Sequence, residues 1–194
     1  MKRNQTILTM TLAGLLCAIG VLIPMISPIK VVLEPASFTL ASHVAVFLAM
    51  FLSPQVGAAV ALGTTLGFLL GGFPLVVVLR ALSHVIFALL GGWYLQSRPQ
   101  LPLSLTRSLP FSLVLGLLHG ACEVLVVLPF YLGGSLGAVN YEKGFFVAVF
   151  LLVGVGSAIH SMVDFALSVV LWKPIRQVLH RMAPQMVPAL PAKA

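Results

Sequence analysis

The stretch Phe73-Pro-Leu-Val-Val-Val-Leu-Arg80-Ala-Leu-Ser-His84-Val-Ile-Phe-Ala-Leu-Leu90 decides the class of this molecule. It is an apolar run interrupted by one fixed cation. Placing a cation in a membrane-spanning helix costs about 2.5–3.5 kcal/mol on insertion scales. Such a residue normally faces a partner or a cavity, which makes it a functional-site hypothesis by default. His84 follows one helical turn later, and other apolar segments hold His43, His119, Glu123, His160 and Asp164. Polar groups at lipid depth on several segments predict a polar chamber inside a small helical bundle.

Composition agrees that water is not the main solvent. Hydrophobic residues make up 60% of the 194 residues, charged residues 8%, and mean hydropathy is +1.12. A soluble domain carries roughly 25% charged residues. A spanning helix needs about 20 apolar residues, so the length accommodates six spans with short loops and no large soluble domain. The expected fold is an all-α, six-transmembrane-helix bundle over residues 1–173, followed by a cytoplasmic Pro-rich tail at 174–194. The spans fall near 6–26, 37–51, 55–70, 75–95, 109–131 and 145–172, with 27–36 an external loop or short re-entrant piece. Lys2 and Arg3 before an apolar stretch resemble the start of a signal peptide. The length of that stretch, and Gly14-Leu15-Leu16 before Cys17, fit a retained first helix better.

The net charge of +7 does not indicate nucleic acid, because the basic residues are spread thinly with no dense stripe and no interleaved exposed aromatics. They serve as topology signals. With six spans, Lys2, Arg3, Arg98, Arg107, Lys173, Arg176, Arg181 and Lys193 share one side, and Lys30 and Lys143 the other. The positive-inside rule then puts both termini in the cytoplasm of a multi-pass cell-membrane protein. Cys17 and Cys122 match neither a metal motif nor a disulfide framework.

Depth follows from a rise of about 1.5 Å per helical residue. Measured from the outer face, His43 lies about 9 Å down, Arg80 about 8 Å, His84 about 14 Å, Glu123 about 12 Å and His119 about 18 Å. His160 and Asp164 come out deeper, at about 22 and 28 Å. Arg80/His84, His119/Glu123 and His160/Asp164 are i,i+4 pairs, so each pair shares a helix face. The cluster describes an outward-facing pocket for a small anion, anchored by the planar fork of Arg80. The plainer reading pairs Arg80 with Glu123 as interhelical glue and satisfies each His with a carbonyl or Ser; it is preferred for His160 and Asp164. A metal is not expected, because the H-E-x-x-H arrangement is absent and the candidate ligands lie on separate helices with no fixed geometry.

Gly14 and Ala18 are four apart on helix 1, as are Gly63, Gly67 and Gly71 on helix 3. Small-xxx-small spacing lets helix backbones approach closely in lipid. Internal packing explains helix 3, whereas helix 1 is the better face for docking another subunit. There is no G-x-x-x-x-G-K-[ST] phosphate loop, and no clear inverted repeat of the kind secondary transporters show. A binding pocket without an engine suggests a subunit that borrows one.

The run Glu34-Pro-Ala-Ser-Phe-Thr-Leu-Ala-Ser-His43, the turn Phe51-Leu-Ser-Pro54, the segment Leu79-Arg-Ala-Leu-Ser-His84 and the late Val153-Gly-Val-Gly-Ser-Ala-Ile-His160 together carry a family likeness. The chain resembles the substrate-binding S components of energy-coupling factor (ECF) transporters, nearly end to end, and within them the group assigned to niacin. The resemblance implies that the chain binds a vitamin from outside with high affinity. It implies association with a transmembrane coupling protein and two cytosolic ATPases, which would use ATP and Mg, while this chain needs no cofactor or metal. It also implies docking to the coupling protein at Gly14 and Ala18, where the family has an Ala-x-x-x-Ala-like motif. The N-terminal His motif of metal-specific relatives is missing; Lys2-Arg3-Asn4 stands there instead.

Nicotinate would offer a carboxylate to Arg80, a ring nitrogen to His43, His84, His119 or a hydroxyl, and a ring for Phe38, Phe73, Tyr131 or Tyr141 to stack on. Glu123 completes the candidate binding set. Pantothenate, also a carboxylate, satisfies Arg80 equally well. An intramembrane enzyme using His/Asp or His/Glu pairs and a scaffold with purely structural polar residues are the readings from other classes.

Overall fold

The computed structural model describes residues 2–184, 186 and 187. Helices α1 (Lys2–Ile26), α2 (Val44–Leu52), α3 (Pro54–Leu70), α4 (Leu75–Gln96), α5 (Leu105–Leu132), α6 (Ala138–Glu142) and α7 (Gly156–Met182) build the bundle. A π-helical segment, Phe146–Val155, leads directly into α7. Among the described residues, four stretches are long and apolar enough to cross a membrane: Gln5–Ile26, Leu75–Gln96, Leu105–Leu132 and Phe146–Met182. Helix α3 is apolar but has 17 residues, and α2 has nine.

The largest departure from expectation lies between α1 and α2. The expected loop at 27–36 and the first three residues of the expected second span form an antiparallel hairpin, β1 (Lys30–Leu33) with β2 (Ala36–Thr39). Val31, Val32, Phe38 and Thr39 are strand-favouring side chains, and Glu34-Pro35, joined by a cis peptide, makes the two-residue turn. Helix α2 therefore starts at Val44 rather than near Ser37. Its brevity has a clear local cause: Ser53 ends it and at once caps α3, its Oγ accepting from Val56 N at 3.1 Å, with Pro54 in the first turn.

The last helix runs nine residues past Lys173, through Pro174 to Met182, so the tail expected at 174–194 begins as helix. Leu179 and Val187 pack there against Trp172; Gln185 and residues 188–194 lie outside the described residues.

Close helix approach is bought with glycine at two seams. Gly63 and Gly67 of α3 receive Cys17 and Val21 of α1, so that added methyls would overlap those side chains. Gly116 and Gly120 of α5 likewise lie against the backbone of Ala158 and Gly154. Helix 3's small residues thus serve internal packing. Below the polar residues sits an aromatic core: Phe47 packs on Phe87 and Phe165 at centroid distances of 5.4 and 5.3 Å, and Phe51 on Phe165 and Trp172.

Candidate functional site

A cavity of about 400 Å³ opens at the hairpin end of the bundle, within the size range of small-molecule sites. Lys30, Val32 and Glu34 of the hairpin form its rim, together with Pro24 and Pro74. Arg80, His84, His43, Glu123, Ser157 and His160 line its depth, and Phe68 and Phe73 one wall. Five elements therefore deliver its polar groups, as expected for a chamber inside a bundle.

Arg80 is 8% exposed, with its Nη2 donating to Glu123 Oε2 at 2.7 Å and Nη1 to Pro35 O at 3.4 Å. Burial makes this an interhelical ion pair between α4 and α5 that neither partner can leave uncompensated. Ser157 Oγ also donates to Glu123 Oε2, from α7. Glu123 Oε1 faces His119 Nε2 at 3.3 Å and His84 Nε2 at 3.7 Å. The glue reading and the pocket reading meet here, since the paired Arg80 also stands in the cavity wall.

His160 and Asp164 are not in a separate, deeper layer. Asp164, fully buried, accepts from Ala41 N at 2.8 Å and His43 N at 2.9 Å, and its Oδ2 lies 3.0 Å from His43 Nδ1. His160 Nε2 is 3.0 Å from Ser42 Oγ. The expected difference in depth is absent because β2 is strand, rising about 3.3 Å per residue rather than 1.5. The hairpin thus carries Ala41–His43 down to α7. Asp164 satisfies backbone donors that a break at membrane depth leaves free, and puts a negative charge at the α2 N-terminus. Ala41 is held there in the left-handed region, with φ 68.

The four imidazoles converge. His43 is 4.8, 4.7 and 4.9 Å from His84, His119 and His160 by ring centroids, and His84 is 4.9 Å from His119. His119 lies under the cavity lining, fully buried against Phe87.

Two expected binding residues sit elsewhere. Phe38 points to the opposite face of β2 from Ser37 and Thr39, which line the cavity. Its ring lies over Gly156, where a methyl would meet Phe38 Cζ at 2.6 Å, and beside His160. Tyr141 belongs to α6: its hydroxyl donates to Tyr131 O at 3.2 Å and accepts from Leu136 N, with its ring against Tyr131. That residue closes the α5–α6 turn and stands away from the cavity. Phe73 does line it, stacked on Phe68 at 4.6 Å. Sequence reasoning missed Phe68, Ser42 and Ser157, whose only signal was their nearness in the chain to Phe73, His43 and His160.

Gly14 and Ala18 lie on the outward face of α1; Gly14 has open space where a side chain would project. Ile7, Leu22 and Met25 continue this exposed face, while Ala13, Leu16 and Cys17 turn inward.

No family model and no solved structure matches the chain. It is 42% identical over 176 residues to the niacin transporter NiaX of Lactococcus lactis subsp. cremoris (strain MG1363), covering 86% of this chain and 78% of that one. Identity of that degree over most of both chains shows common membership: this multi-pass membrane protein belongs to the niacin-transporter group of ECF S components.

Proposed function

We propose that this chain captures nicotinate as the high-affinity S component of an ATP-driven ECF importer. The 42% identity to a niacin transporter carries that reading, and the cavity offers the means. Arg80 presents a buried guanidinium whose Nε has no hydrogen-bond partner, so a carboxylate can be received without dismantling the whole Glu123 pair. The imidazole of His84 offers the ring nitrogen a donor, with His43 and His119 packed against it. Of the four aromatic residues expected to stack on the vitamin, Phe73 lines the cavity and takes that role.

The chain makes six passes, with β2 and α2 together forming a short second one and α3 a third at the lower length limit. Both termini are cytoplasmic: the cavity opens at the Lys30 and Lys143 end, and Arg98, Arg107, Arg176 and Arg181 belong to the other. The protein is not an enzyme. A transmembrane coupling protein docks at Gly14 and Ala18, and two cytosolic ATPases supply ATP hydrolysis with Mg.

Calorimetric titration of the purified chain in detergent with nicotinate, nicotinamide and pantothenate tests the reading. Nicotinate should bind tightly and the other two weakly; preference for pantothenate would replace the vitamin and keep the family. Gly14→Leu and Ala18→Leu should abolish uptake in the assembled transporter and leave nicotinate binding unchanged. Normal uptake by both variants would remove α1 as the docking face.

A further inference from the structure

Three histidines in this bundle are arranged as metal ligands. His43, His84 and His119, each at least nine-tenths buried, place one ring nitrogen apiece within 4.8 Å of the others. They come from the start of α2, the middle of α4 and the middle of α5, so only the fold brings them together.

Hydrogen bonding supplies an independent observation. His84 Nε2 and both nitrogens of His119 are buried without a hydrogen-bond partner. Buried polar atoms are nearly always satisfied, and an orphan needs an explanation such as an ion. Near these orphans Glu123 Oε1 stands 3.3 Å from His119 Nε2 and 3.7 Å from His84 Nε2. His43 is prepared differently. Its Nδ1 lies 3.0 Å from Asp164 Oδ2, which fixes the proton on that nitrogen and leaves Nε2 with a free lone pair. A carboxylate behind a ligating imidazole is the usual outer-shell support of a metal-bound histidine.

We infer that His43, His84 and His119 form a binding site for a divalent transition metal of the zinc class. Three neutral imidazoles suit zinc, and a site of three protein nitrogens keeps a fourth position open. Zn–N bonds of about 2.0–2.1 Å hold ligand nitrogens about 3.3–3.4 Å apart in a tetrahedron. The triad is therefore a splayed form that closes by ring rotations of about 1 Å. His43 and His84 line the cavity, so the fourth position faces it. The metal was not expected from sequence because separate helices left the geometry undefined; the fold supplies that geometry. The site does not depend on which vitamin the chain binds.

The test uses the full chain, purified in detergent through a non-histidine tag, stripped with chelator and titrated with Zn²⁺. Wild type should retain about one zinc per chain after gel filtration, as should His180→Gln, which changes a histidine outside the cluster. His84→Gln and His119→Gln should each weaken zinc by more than the about 10–100-fold that outer-shell losses cost, and Asp164→Asn should fall within that range. Co²⁺ in place of zinc should give the visible absorption of a tetrahedral site in wild type. Zinc retention by wild type no greater than by a His84→Gln/His119→Gln double variant would overturn the proposal. So would a wild-type chain that binds no zinc at all, a result that needs no variant to fold.

Discussion

The bundle holds two buried carboxylates, and they live in opposite circumstances. Asp164 is filled by fixed partners: two backbone N–H groups, the Ser42 hydroxyl and the His43 ring, all from one short segment ahead of α2. Glu123 is held by side chains alone, from Arg80 and Ser157, with His84 Nε2 and the His119 ring nearby and without hydrogen-bond partners. A carboxylate that satisfies backbone is part of the scaffold, because its loss leaves donors that cannot move away. One that shares a guanidinium and faces a cavity can exchange partners. The contrast separates a pin from a switchable contact, although both are acids one turn from a histidine.

The largest effect expected from this contrast is at Arg80. Arg80→Ala should reduce nicotinate binding below detection by calorimetry, and the uncompensated Glu123 should cost about 3–5 kcal/mol of stability. Wild-type affinity in that variant would take Arg80 out of the site. Next comes Asp164→Ala, which strands the Ala41 and His43 amides at about 1–3 kcal/mol each. A marked drop in thermal unfolding temperature in detergent is expected, with a smaller change in nicotinate affinity than Glu123→Gln produces. The reverse pattern would make Asp164 the ligand contact. The smallest effect is that of Glu123→Gln, which frees Arg80 for the incoming carboxylate. Affinity should rise by about tenfold, or 1.4 kcal/mol; weaker binding would mean that Glu123 itself holds the ligand.

Much of the site was legible because i,i+4 spacing is a local property. His119 and Glu123 do meet, as do His160 and Asp164, at 3.3 and 3.4 Å. Residues on α4 and α5 were placed at a common level because both segments are helical throughout the relevant turns. The failures share one origin, the hairpin. Val31-Val32-Leu33 and Ala36–Thr39 are too short for a clear alternation, so a helical rise stands in for strand and His43 comes out too shallow to meet Asp164. Phe38 and Tyr141 are expected only as rings able to stack on the vitamin; a one-residue parity on β2 sends Phe38 to the other face, and the Tyr141 hydroxyl ties off the α5–α6 turn. Length alone does not show that the expected second span is a four-residue strand, a turn and nine residues of helix.

The aromatic layer beneath the histidines has an electrical consequence. Phe47 packs on both Phe87 and Phe165, Phe47 and Phe87 lie against the histidines, and a smaller hollow of about 210 Å³ is lined by Met50, Trp172 and Arg176. An apolar constriction of this kind does not wet, and unhydrated ions do not pass. The chain alone should therefore be silent in a planar bilayer, holding a membrane voltage without leak while its cavity fills and empties from one side.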